Sequence, residues 1–419
     1  MGAFSAPLSG LTAAQDQLQS VSNNLANIDT DGYKDQTLTF SDIFAQTGVT
    51  NGAGDPVQIG SGVNVSSTVS NFGEGNLDAT STASNMAISG NGFFITQDSL
   101  GNTNYTRTGD FTTNNAGQLV TPGGELLLGY PAVKGVVNST AALQPLQVGS
   151  VNSPAVESTT VGITANLDSD TAVNGTAPNS TLSVYDSLGS AHTLTVSYTK
   201  TATNTWTYTV TVPSADVVAG AAGNTQVGTG TLNFDGTGAL TSITGITPIS
   251  IPTLADGAVS PLVLTGPFGA VGALGAVTNP TITQTAAASA TSASTTDGFA
   301  SGTLTTYTVQ SDGTIEGTFT SGNTMALGQV AVASFANNQG LVSIGNNDFQ
   351  ATSASGAAVT GVAGTGGRGT VIGGNVEQSN VDIATEFAKL IVAQQAYSAN
   401  AKSITTFSQV SQATLAMIQ

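Results

Sequence analysis

The sequence has few of the residues on which most active sites depend. Its 419 residues include no cysteine, one histidine (His192) and one tryptophan (Trp206), and only 8% of them are charged. A chain without cysteine has no disulfides, thiolate nucleophiles or cysteine metal sites, and a single histidine excludes any site that needs two. Since an ordinary domain carries about 25% charged residues, the surface must consist mostly of uncharged polar side chains and backbone.

The few charges that are present are mostly acidic. Seven Lys and Arg oppose 25 Asp and Glu, which gives a formal net charge of −18 at pH 7. Binding to nucleic acid or to an anionic membrane requires clustered Lys and Arg, so we expect neither partner. We also expect no metal and no cofactor.

The beginning of the sequence lacks the features of a secretory signal. The first basic residue is Lys34, and no apolar signal core follows it. No apolar run approaches the roughly 18 residues of a membrane span. These signals indicate a cytoplasmic protein, whereas the Thr-, Ser-, Gly- and Asn-rich composition is typical of an extracellular one.

Heptad patterns at both ends of the chain predict two helices. The first helix is expected from about residue 9 to 28, ended by the turn at 29–32, and the second from 381 to 419 with Ser379 or Asn380 as N-cap. The apolar residues that define the two seams, and that are the candidates for an assembly interface, are Leu11, Leu18, Val21, Leu25, Ile28, Ile383, Phe387, Leu390, Tyr397, Ile404 and Leu415.

Two interpretations of these helices remain open. They pair with each other and close a monomer, or their seams dock on other copies of the chain and become ordered only on assembly. The polar face of the first helix consists of Gln, Ser and Asn with almost no charge. That composition favours burial in an assembly.

The middle of the chain alternates apolar side chains with Thr and Ser, which predicts strands buried on one face. The alternating residues are Leu182, Val184, Leu194, Val196, Tyr198, Trp206, Tyr208, Val210 and Val212. Turns are predicted at 186–189 and 203–204. The Ala-, Ser-, Thr- and Gly-rich stretches 213–230 and 284–298 are predicted to be loops, and His192 is predicted to lie on the surface of a strand.

Three patterns imitate functional sites without completing them. The segment 27–38 begins like a calcium-binding loop, but its twelfth position is Leu rather than the bidentate Glu. The glycines of 364–369 fit a dinucleotide motif, but no helix can open on the residues that follow. Asp186, Ser187 and His192 lie on one hairpin and do not converge on a nucleophile elbow. No enzyme is predicted.

Ordered motifs at both ends resemble the bacterial flagellar rod and hook axial protein family. The segment 26–34 matches the family signature A-N-x-x-T-x-G-Y-K through Ala26, Asn27, Thr30, Gly32, Tyr33 and Lys34. Further segments with the family pattern are Met86–Phe94, Tyr105–Gly109, Gly117–Val120, Glu377–Asp382 and Ala399–Lys402. The motifs cover roughly 1–145 and 299–419.

The middle of the chain separates the hook members of the family from the rod members. The segment 184–189 and the strands behind it resemble the inserted domain of flagellar hook proteins, which distal rod proteins lack. Asp348 departs from the family pattern, because an apolar residue is usual before Phe349.

The resemblance implies a nested, mainly β fold with α-helical coiled-coil termini. Residues 1–30 and 380–419 would form an inner helical layer, 31–75 a connector, 76–145 and 299–370 an inner β domain, and 146–298 an inserted outer β domain. Each inner domain would thus consist of two segments, one before and one after the domain that is inserted in it.

The resemblance also implies a structural role outside the cell. The chain would polymerise into the curved, flexible tube of the flagellar hook, a universal joint that transmits torque from rod to filament. Its partners would be other copies of itself, the hook cap, the distal rod and hook–filament junction proteins, and an export apparatus that needs no cleaved signal peptide. A distal rod protein and a secreted β-rich adhesin remain as alternatives.

Overall fold

The computed structural model describes residues 5–43, 46–50, 56–149, 151–218, 223–244, 248–271 and 277–417. Two helices, α1 (Ser5–Ala26) and α2 (Ile383–Ala416), stand at the two ends of the chain. Helix α1 begins earlier than predicted because Pro7 falls in its first turn, where a missing N–H costs no hydrogen bond. Among the described residues, no helix is both long and apolar enough to cross a membrane.

Between the helices the chain forms short strands. The strands that precede residue 150 are β1 (Gln36–Asp42), β2 (Gln46–Thr50), β3 (Pro56–Ile59), β4 (Val63–Ser70), β5 (Leu77–Ala79), β6 (Met86–Ser89), β7 (Phe93–Gln97), β8 (Thr103–Thr106), β9 (Thr112–Thr113), β10 (Leu119–Val120), β11 (Leu126–Val133), β12 (Val136–Val137) and β13 (Gln144–Pro145). The middle strands are β14 (Asn152–Ser153), β15 (Val161–Asp168), β16 (Thr176–Tyr185), β17 (Ala191–Ala202), β18 (Thr205–Pro213), β19 (Asn224–Phe234), β20 (Leu240–Thr244), β21 (Ile249–Ile251), β22 (Leu262–Leu264), β23 (Ala270–Val271), β24 (Val277–Thr278), β25 (Ile282–Thr285) and β26 (Ala290–Thr296). The last strands are β27 (Gly302–Val309), β28 (Thr314–Phe319), β29 (Thr324–Ser334), β30 (Val342–Gly345), β31 (Asp348–Gln350), β32 (Val359–Val362), β33 (Thr370–Gly373) and β34 (Asn375–Glu377). Short 3-10 turns lie at Ser214–Asp216 and Asn338–Gly340.

The chain divides into two compact units. Unit 1 comprises Met1–Ser150, Thr306–Gly317 and Met325–Gln419, and unit 2 comprises Val151–Thr305 and Thr318–Thr324. Unit 2 is therefore an insertion in unit 1. The predicted class, mainly β with helical termini, is confirmed.

A central sheet organises unit 1. Its strand order runs β28-β29-β11-β7-β8-β31-β30. Successive residues of β7 face opposite sides, so that Phe94 joins one apolar cluster while Phe93 and Ile95 join another. Both faces of the sheet are buried, which is why its sequence reads as apolar runs rather than as a clean alternation.

One face of this sheet is aromatic. The Phe93 ring lies edge-on to Phe72, Phe335 and Phe349, with centroid distances of 5.6, 5.9 and 5.9 Å. Edge-to-face pairs of this kind add about 0.5–1.5 kcal/mol each beyond the area that they bury. Asp348, which replaces the expected apolar residue beside Phe349, is only 4% exposed. Burial, reinforced by the charge of Glu125, raises the pKa of Asp348 to about 7 despite a hydrogen bond from Thr106.

Unit 2 has a single core between two sheets. A five-stranded antiparallel sheet runs in the order β16-β17-β18-β19-β20, and a three-stranded sheet runs in the order β25-β15-β26. All nine residues of the predicted alternation are buried, and the predicted turns form with Gly189 and Asn204 at positive φ. Trp206 is fully buried and donates from Nε1 to Oε1 of Gln284 at 2.9 Å.

The two stretches of unit 2 predicted as loops contain strands. Strand β19 lies within 213–230 and beyond, although 219–222 fall outside the described residues, and β26 lies within 284–298. Gly230 of β19 gives no apolar signal because it faces a ring: a Cβ there would lie 2.7 Å from the hydroxyl oxygen of Tyr208. Strand β26 gives no apolar signal because its residues are mostly exposed. Its backbone pairing with β15 holds it in the sheet.

The predicted surface position of His192 is also wrong. It occupies an inward position of β17 and is 5% exposed. Carboxylates of three aspartates surround its ring. The period-two alternation of β17 places this residue on the inward face. An imidazole can be buried there only because partners lie beside its nitrogens, and two of those partners, Asp216 and Asp256, come from distant segments.

We expect Asp348→Asn to stabilise the protein at pH 8 and to leave stability unchanged at pH 4. Because the folded pKa lies above the unfolded value of 3.8, the stability associated with protonated Asp348 is present below the unfolded pKa and is lost as the pH rises through about 7. The amide mimics the protonated acid, so the gain at pH 8 should be about 4 kcal/mol. Denaturant unfolding followed by circular dichroism at both pH values measures it.

The control is Asp42→Asn, at an exposed position of β1. It should change stability little at either pH. If Asp348→Asn raised the free energy of unfolding equally at pH 4 and pH 8, the carboxyl group of Asp348 would not be held in its neutral form.

Candidate functional site

The family-signature residues lie where helix α1 joins the β body of unit 1. After α1 ends, Thr30 donates to the Asn27 side chain at 3.2 Å, and the turn closes at Gly32. Gly32 has a φ of +71°, and a Cβ on it would lie 2.6 Å from the backbone nitrogen of Thr108. Its own N–H donates to the carbonyl of Glu377 at 2.7 Å. Only glycine fits this position, and the turn directs Tyr33 and Lys34 inward.

A buried ion cluster, formed by Lys34, Arg107 and Glu377, follows the turn. Lys34 Nζ lies 2.5 Å from Oε1 of Glu377, and Arg107 Nη1 lies 3.1 Å from Oε2. Lys34 and Arg107 are each 3% exposed, and Glu377 is fully buried. Burial lowers the pKa of Lys34, although the carboxylate of Glu377 opposes that shift.

Backbone groups complete the ion cluster. Lys34 also donates to the carbonyl of Gly73 at 2.8 Å, and Arg107 donates to the carbonyls of Ile88 at 3.1 Å and Gly90 at 2.6 Å. The N–H of Gly75 donates to Glu377 at 2.8 Å. The cluster therefore joins residues 34, 73–75, 88–90, 107 and 377. Charged and backbone partners offset most of the cost of burying the three ions, although Nε of Arg107 is buried without a hydrogen-bond partner.

A second network, centred on Asn24, connects the two helices. Asn24 is 1% exposed. Its Nδ2 lies 2.6 Å from Oδ1 of Asp35 and 3.1 Å from Oε2 of Glu386 on α2, and its Oδ1 accepts from the Tyr33 hydroxyl at 3.0 Å. Burial, with the nearby charges of Asp35 and Glu386, raises the pKa of Tyr33 to about 12. Tyr33 therefore remains a neutral hydrogen-bond donor, and α1, the turn and α2 are held together by directional contacts.

The N-cap of α2 differs from the prediction. Asp382 caps the helix, with its side chain accepting from the Thr385 backbone nitrogen at 2.9 Å. Of the two predicted caps, Asn380 is used elsewhere: it accepts from the backbone nitrogen of Asp35 at 2.8 Å and donates to the carbonyl of Asn71 at 2.8 Å. The helix consequently begins at Ile383 rather than at residue 381, because the tertiary contacts of Asn380 occupy the side chain that was expected to cap it.

Helices α1 and α2 pack on each other, and several of their buried residues are small. Ala13 and Ala14 on α1 and Ala393 on α2 are buried, and a Cβ on Gly10 would lie 2.9 Å from the Asn400 amide. Val21, a larger residue of the predicted seam of α1, is also buried, at 3% exposure. The predicted seam of α1 therefore follows its buried face, whereas the seam predicted for α2 includes exposed residues.

The predicted assembly residues consequently fall into two groups. The buried or half-buried residues are Leu11, Leu18, Val21, Leu25, Ile28, Leu390 and Ile404. The exposed residues are Ile383 at 52%, Phe387 at 47%, Tyr397 at 38% and Leu415 at 64%. Four further exposed apolar residues of α2 were not predicted: Ile391 at 56%, Val392 at 63%, Phe407 at 43% and Val410 at 59%. Helix α2 thus presents its largest apolar side chains outward.

Four family models match successive parts of the chain. Residues 7–34 match a model described as "Flagella basal body rod protein", and 87–166 match "Flagellar hook protein FlgE/F/G D1 domain". Residues 150–299 match "Flagellar basal body protein FlaE D2 domain", and 372–417 match "Flagellar basal body rod FlgEFG protein C-terminal". The matched segments include both terminal helices and the inserted unit.

Curated relatives match over nearly the whole chain. The flagellar hook protein FlgE of Escherichia coli (strain K12) is 34% identical, over 97% of this chain and 98% of its own length. That of Treponema pallidum (strain Nichols) is 30% identical, over 95% and 96%. The crystal structure of Helicobacter pylori flagellar hook protein FlgE2 aligns with a TM-score of 0.52 at 15% identity, covering 72% of this chain and 100% of that one. That structural likeness shows the fold alone.

We expect Glu377→Gln to destabilise the protein by about 3–5 kcal/mol, because it leaves two buried cations without their counter-ion. Denaturant unfolding monitored by circular dichroism measures the loss. The matched control is Glu74→Gln, an exposed glutamate whose carboxylate accepts one backbone hydrogen bond, from Gly90 at 2.8 Å. The control should lose less than about 1 kcal/mol. Equal losses in the two variants would show that the ion cluster adds no stability.

Proposed function

The chain belongs to the flagellar hook protein family, and we propose that it polymerises through its terminal helices into the tube of the flagellar hook. Hook proteins are structural, and the two alternatives, a distal rod protein and a secreted adhesin, are disfavoured. Full-length hook relatives cover the chain, including unit 2, at 30–34% identity. The observation that carries the assembly proposal is the outward apolar face of α2.

The outward face of α2 is unsuited to a monomer in water. Phe387 and Ile391 lie four residues apart and therefore on one side of the helix, and both are about half exposed, at 47% and 56%. The same helix buries Glu386 and Ala393 against its neighbours. Exposed apolar surface of this extent marks an interaction site. Burying each large side chain against a second subunit would contribute about 1.5–3 kcal/mol.

Both interpretations of the helices therefore find support. Helices α1 and α2 pack on each other within one chain, as the monomer-closing interpretation expects. Helix α2 leaves its largest apolar side chains exposed, as the assembly interpretation expects. We infer that the helix pair is a preformed element, whose second face is completed by neighbouring subunits.

The remaining domains follow from this assignment. We propose that residues 1–30 and 380–419 form the inner layer of the tube, with 31–75 as connector, and that 76–145 and 299–370 form the inner β domain. Residues 146–298 would then form the outer domain. An outer surface of Thr, Ser, Asn and Gly has few ion pairs to break, so neighbouring subunits can slide between nearly equal contacts as the hook bends.

Location and partners also belong to the proposal. The names of the relatives place the protein in the flagellar hook. We propose further that it is exported by the flagellar apparatus without a cleaved signal peptide. The hook cap, the distal rod and the hook–filament junction proteins would be its neighbours.

We expect the double variant Phe387→Ser/Ile391→Ser to remain a folded monomer but to fail to polymerise. Both side chains are already half exposed, so removing them costs the monomer little while it removes apolar contacts in every subunit interface. Salt-induced assembly, followed by sedimentation and negative-stain electron microscopy, measures tube formation. Circular dichroism of the dilute protein verifies the fold.

The matched control is Leu100→Ser, which removes an 85% exposed apolar side chain from a loop of unit 1. It should assemble like the unaltered chain. Normal tubes from the double variant would place the subunit interface elsewhere.

We expect antibodies against residues 146–298 to label the hook surface in cells that carry this protein. Immunogold electron microscopy should place gold on the short curved segment between the cell and the filament. Gold on the straight rod would favour the distal rod alternative, and gold on no flagellar part would favour the adhesin.

A further inference from the structure

The single histidine of the chain lies in a cluster of aspartates in unit 2, which the assembly role does not use. His192 Nε2 lies 3.1 Å from Oδ2 of Asp186 and 3.9 Å from Oδ2 of Asp256. Its Nδ1 lies 3.2 Å from Oδ2 of Asp216. The Nε2 atom and the two carboxylate oxygens that face it are all within 4.8 Å of one another.

The carboxylates of Asp186 and Asp256 are held in place by their local turns. Oδ1 of Asp186 accepts from the backbone nitrogens of Leu188 and Ser190 at 2.8 and 2.9 Å, and Oδ1 of Asp256 accepts from Ala258 at 3.1 Å. In each residue one oxygen is thus occupied and the other, Oδ2, faces His192. The arrangement is preorganised rather than a chance meeting of flexible side chains.

The charges of this cluster do not balance. Three carboxylates surround one imidazole, so even a protonated His192 leaves a net charge of −2. Asp186 is fully buried and His192 is 5% exposed, which makes uncompensated charge costly. A divalent cation at the Nε2 side would reduce the imbalance to −1, with the imidazole neutral.

The second ring nitrogen lies beside a further carboxylate on the other side of the imidazole. Nδ1 of His192 is buried without an aligned hydrogen-bond partner, although a carboxylate oxygen of Asp216 lies beside it. A histidine that binds a metal through one nitrogen commonly directs its other N–H to a carboxylate, which fixes the tautomer and the ring orientation. Asp216 stands where that second carboxylate belongs.

We propose that Asp186, His192 and Asp256 bind a divalent transition-metal cation such as Zn²⁺, with Asp216 orienting the imidazole. One imidazole and two carboxylates suit such ions. The exposed portion of Asp256, 29% of its side chain, provides a route of entry, and water would complete the coordination. This goes beyond the sequence, which predicted no metal site.

The cation would connect three separate segments of unit 2. Asp186 and His192 belong to the β16–β17 hairpin, Asp216 to the 3-10 turn after β18, and Asp256 to the loop before β22. The backbone nitrogen of Ala255 already donates to the carbonyl of Asp216 at 3.0 Å. In a chain without cysteine, a metal here would do what a disulfide does elsewhere and hold loops together.

The test uses the untagged full chain, because a histidine tag would itself bind zinc. After chelator treatment, the protein is titrated with Zn²⁺ by calorimetry, with Mg²⁺ and Ca²⁺ for comparison. We expect one zinc site per chain, well separated from weak binding to the many surface carboxylates. Saturating zinc should raise the unfolding midpoint of unit 2, followed by the fluorescence of its buried Trp206, by about 5 °C or more.

Because His192 is the only histidine, its ring gives a single set of imidazole signals in a ¹H–¹³C spectrum. Those signals should shift as one equivalent of zinc is added. A titration that leaves them unmoved would overturn the proposal, whatever the total amount of zinc bound.

Asp256→Asn removes a partly exposed ligand and should leave unit 2 folded while the zinc site and the gain in unfolding midpoint are lost. The matched control is Asp170→Asn, an exposed aspartate of the same unit outside the cluster. It should bind zinc like the unaltered chain. Equal zinc binding by both variants would overturn the proposal.

Discussion

The contact of Glu377 with Lys34 and Arg107 fixes the organisation of unit 1. Lys34 follows α1, Arg107 follows β8, and Glu377 ends β34 just before α2. A buried carboxylate between two buried cations has no comparable alternative partner in an apolar interior, so the pairing selects one arrangement of these segments. The two helices then start from fixed positions, and the Asn24 network sets how they approach each other.

In the helix pair built on this base, α2 buries the small residue Ala393 and leaves its largest apolar side chains exposed. A monomeric coiled coil has the opposite distribution, with large residues in the seam. Helix α1 buries Ala13, Ala14 and Val21, and its Gly10 closely approaches Asn400 of α2. On the proposed assembly, the exposed apolar side chains of α2 would be buried by neighbouring subunits, so they would contribute to the polymer more than to the monomer.

Local patterns in the sequence were sufficient for much of the fold. The period-two alternation of β16–β18 and the heptads of α1 and α2 predicted those elements, because one buried face imposes a repeat on the residues. Strand β19 was missed because glycine replaces apolar residues on its inward face, which removes the period-two pattern. Strand β26 was missed because it lies at the edge of its sheet and is mostly exposed. The N-cap of α2 was misplaced because a distant backbone group claims Asn380.

The candidate site was visible in the sequence only as separate motifs. Lys34, Arg107 and Glu377 each lie in a segment that resembles the family, but nothing in their spacing shows that they meet. One signal was available: of the seven basic residues in the chain, three lie in such motifs, and two of these, Lys34 and Arg107, form the ion cluster. The burial of His192 was missed for the same reason, because Asp216 and Asp256 belong to segments with no recognisable pattern.

Three of the few basic residues are buried, and their positions show what they do. Lysine and arginine are almost never fully buried in ordinary proteins unless paired, yet Lys34, Arg107 and Lys200 are each less than 8% exposed. Lys200 donates to the carbonyl of Ser169 at 2.5 Å and lies 5.9 Å from the centre of the Trp206 ring. These three cations tie chain segments together inside each unit. The surface is left with few basic side chains, so a contact between two copies has few ion pairs to form or to break.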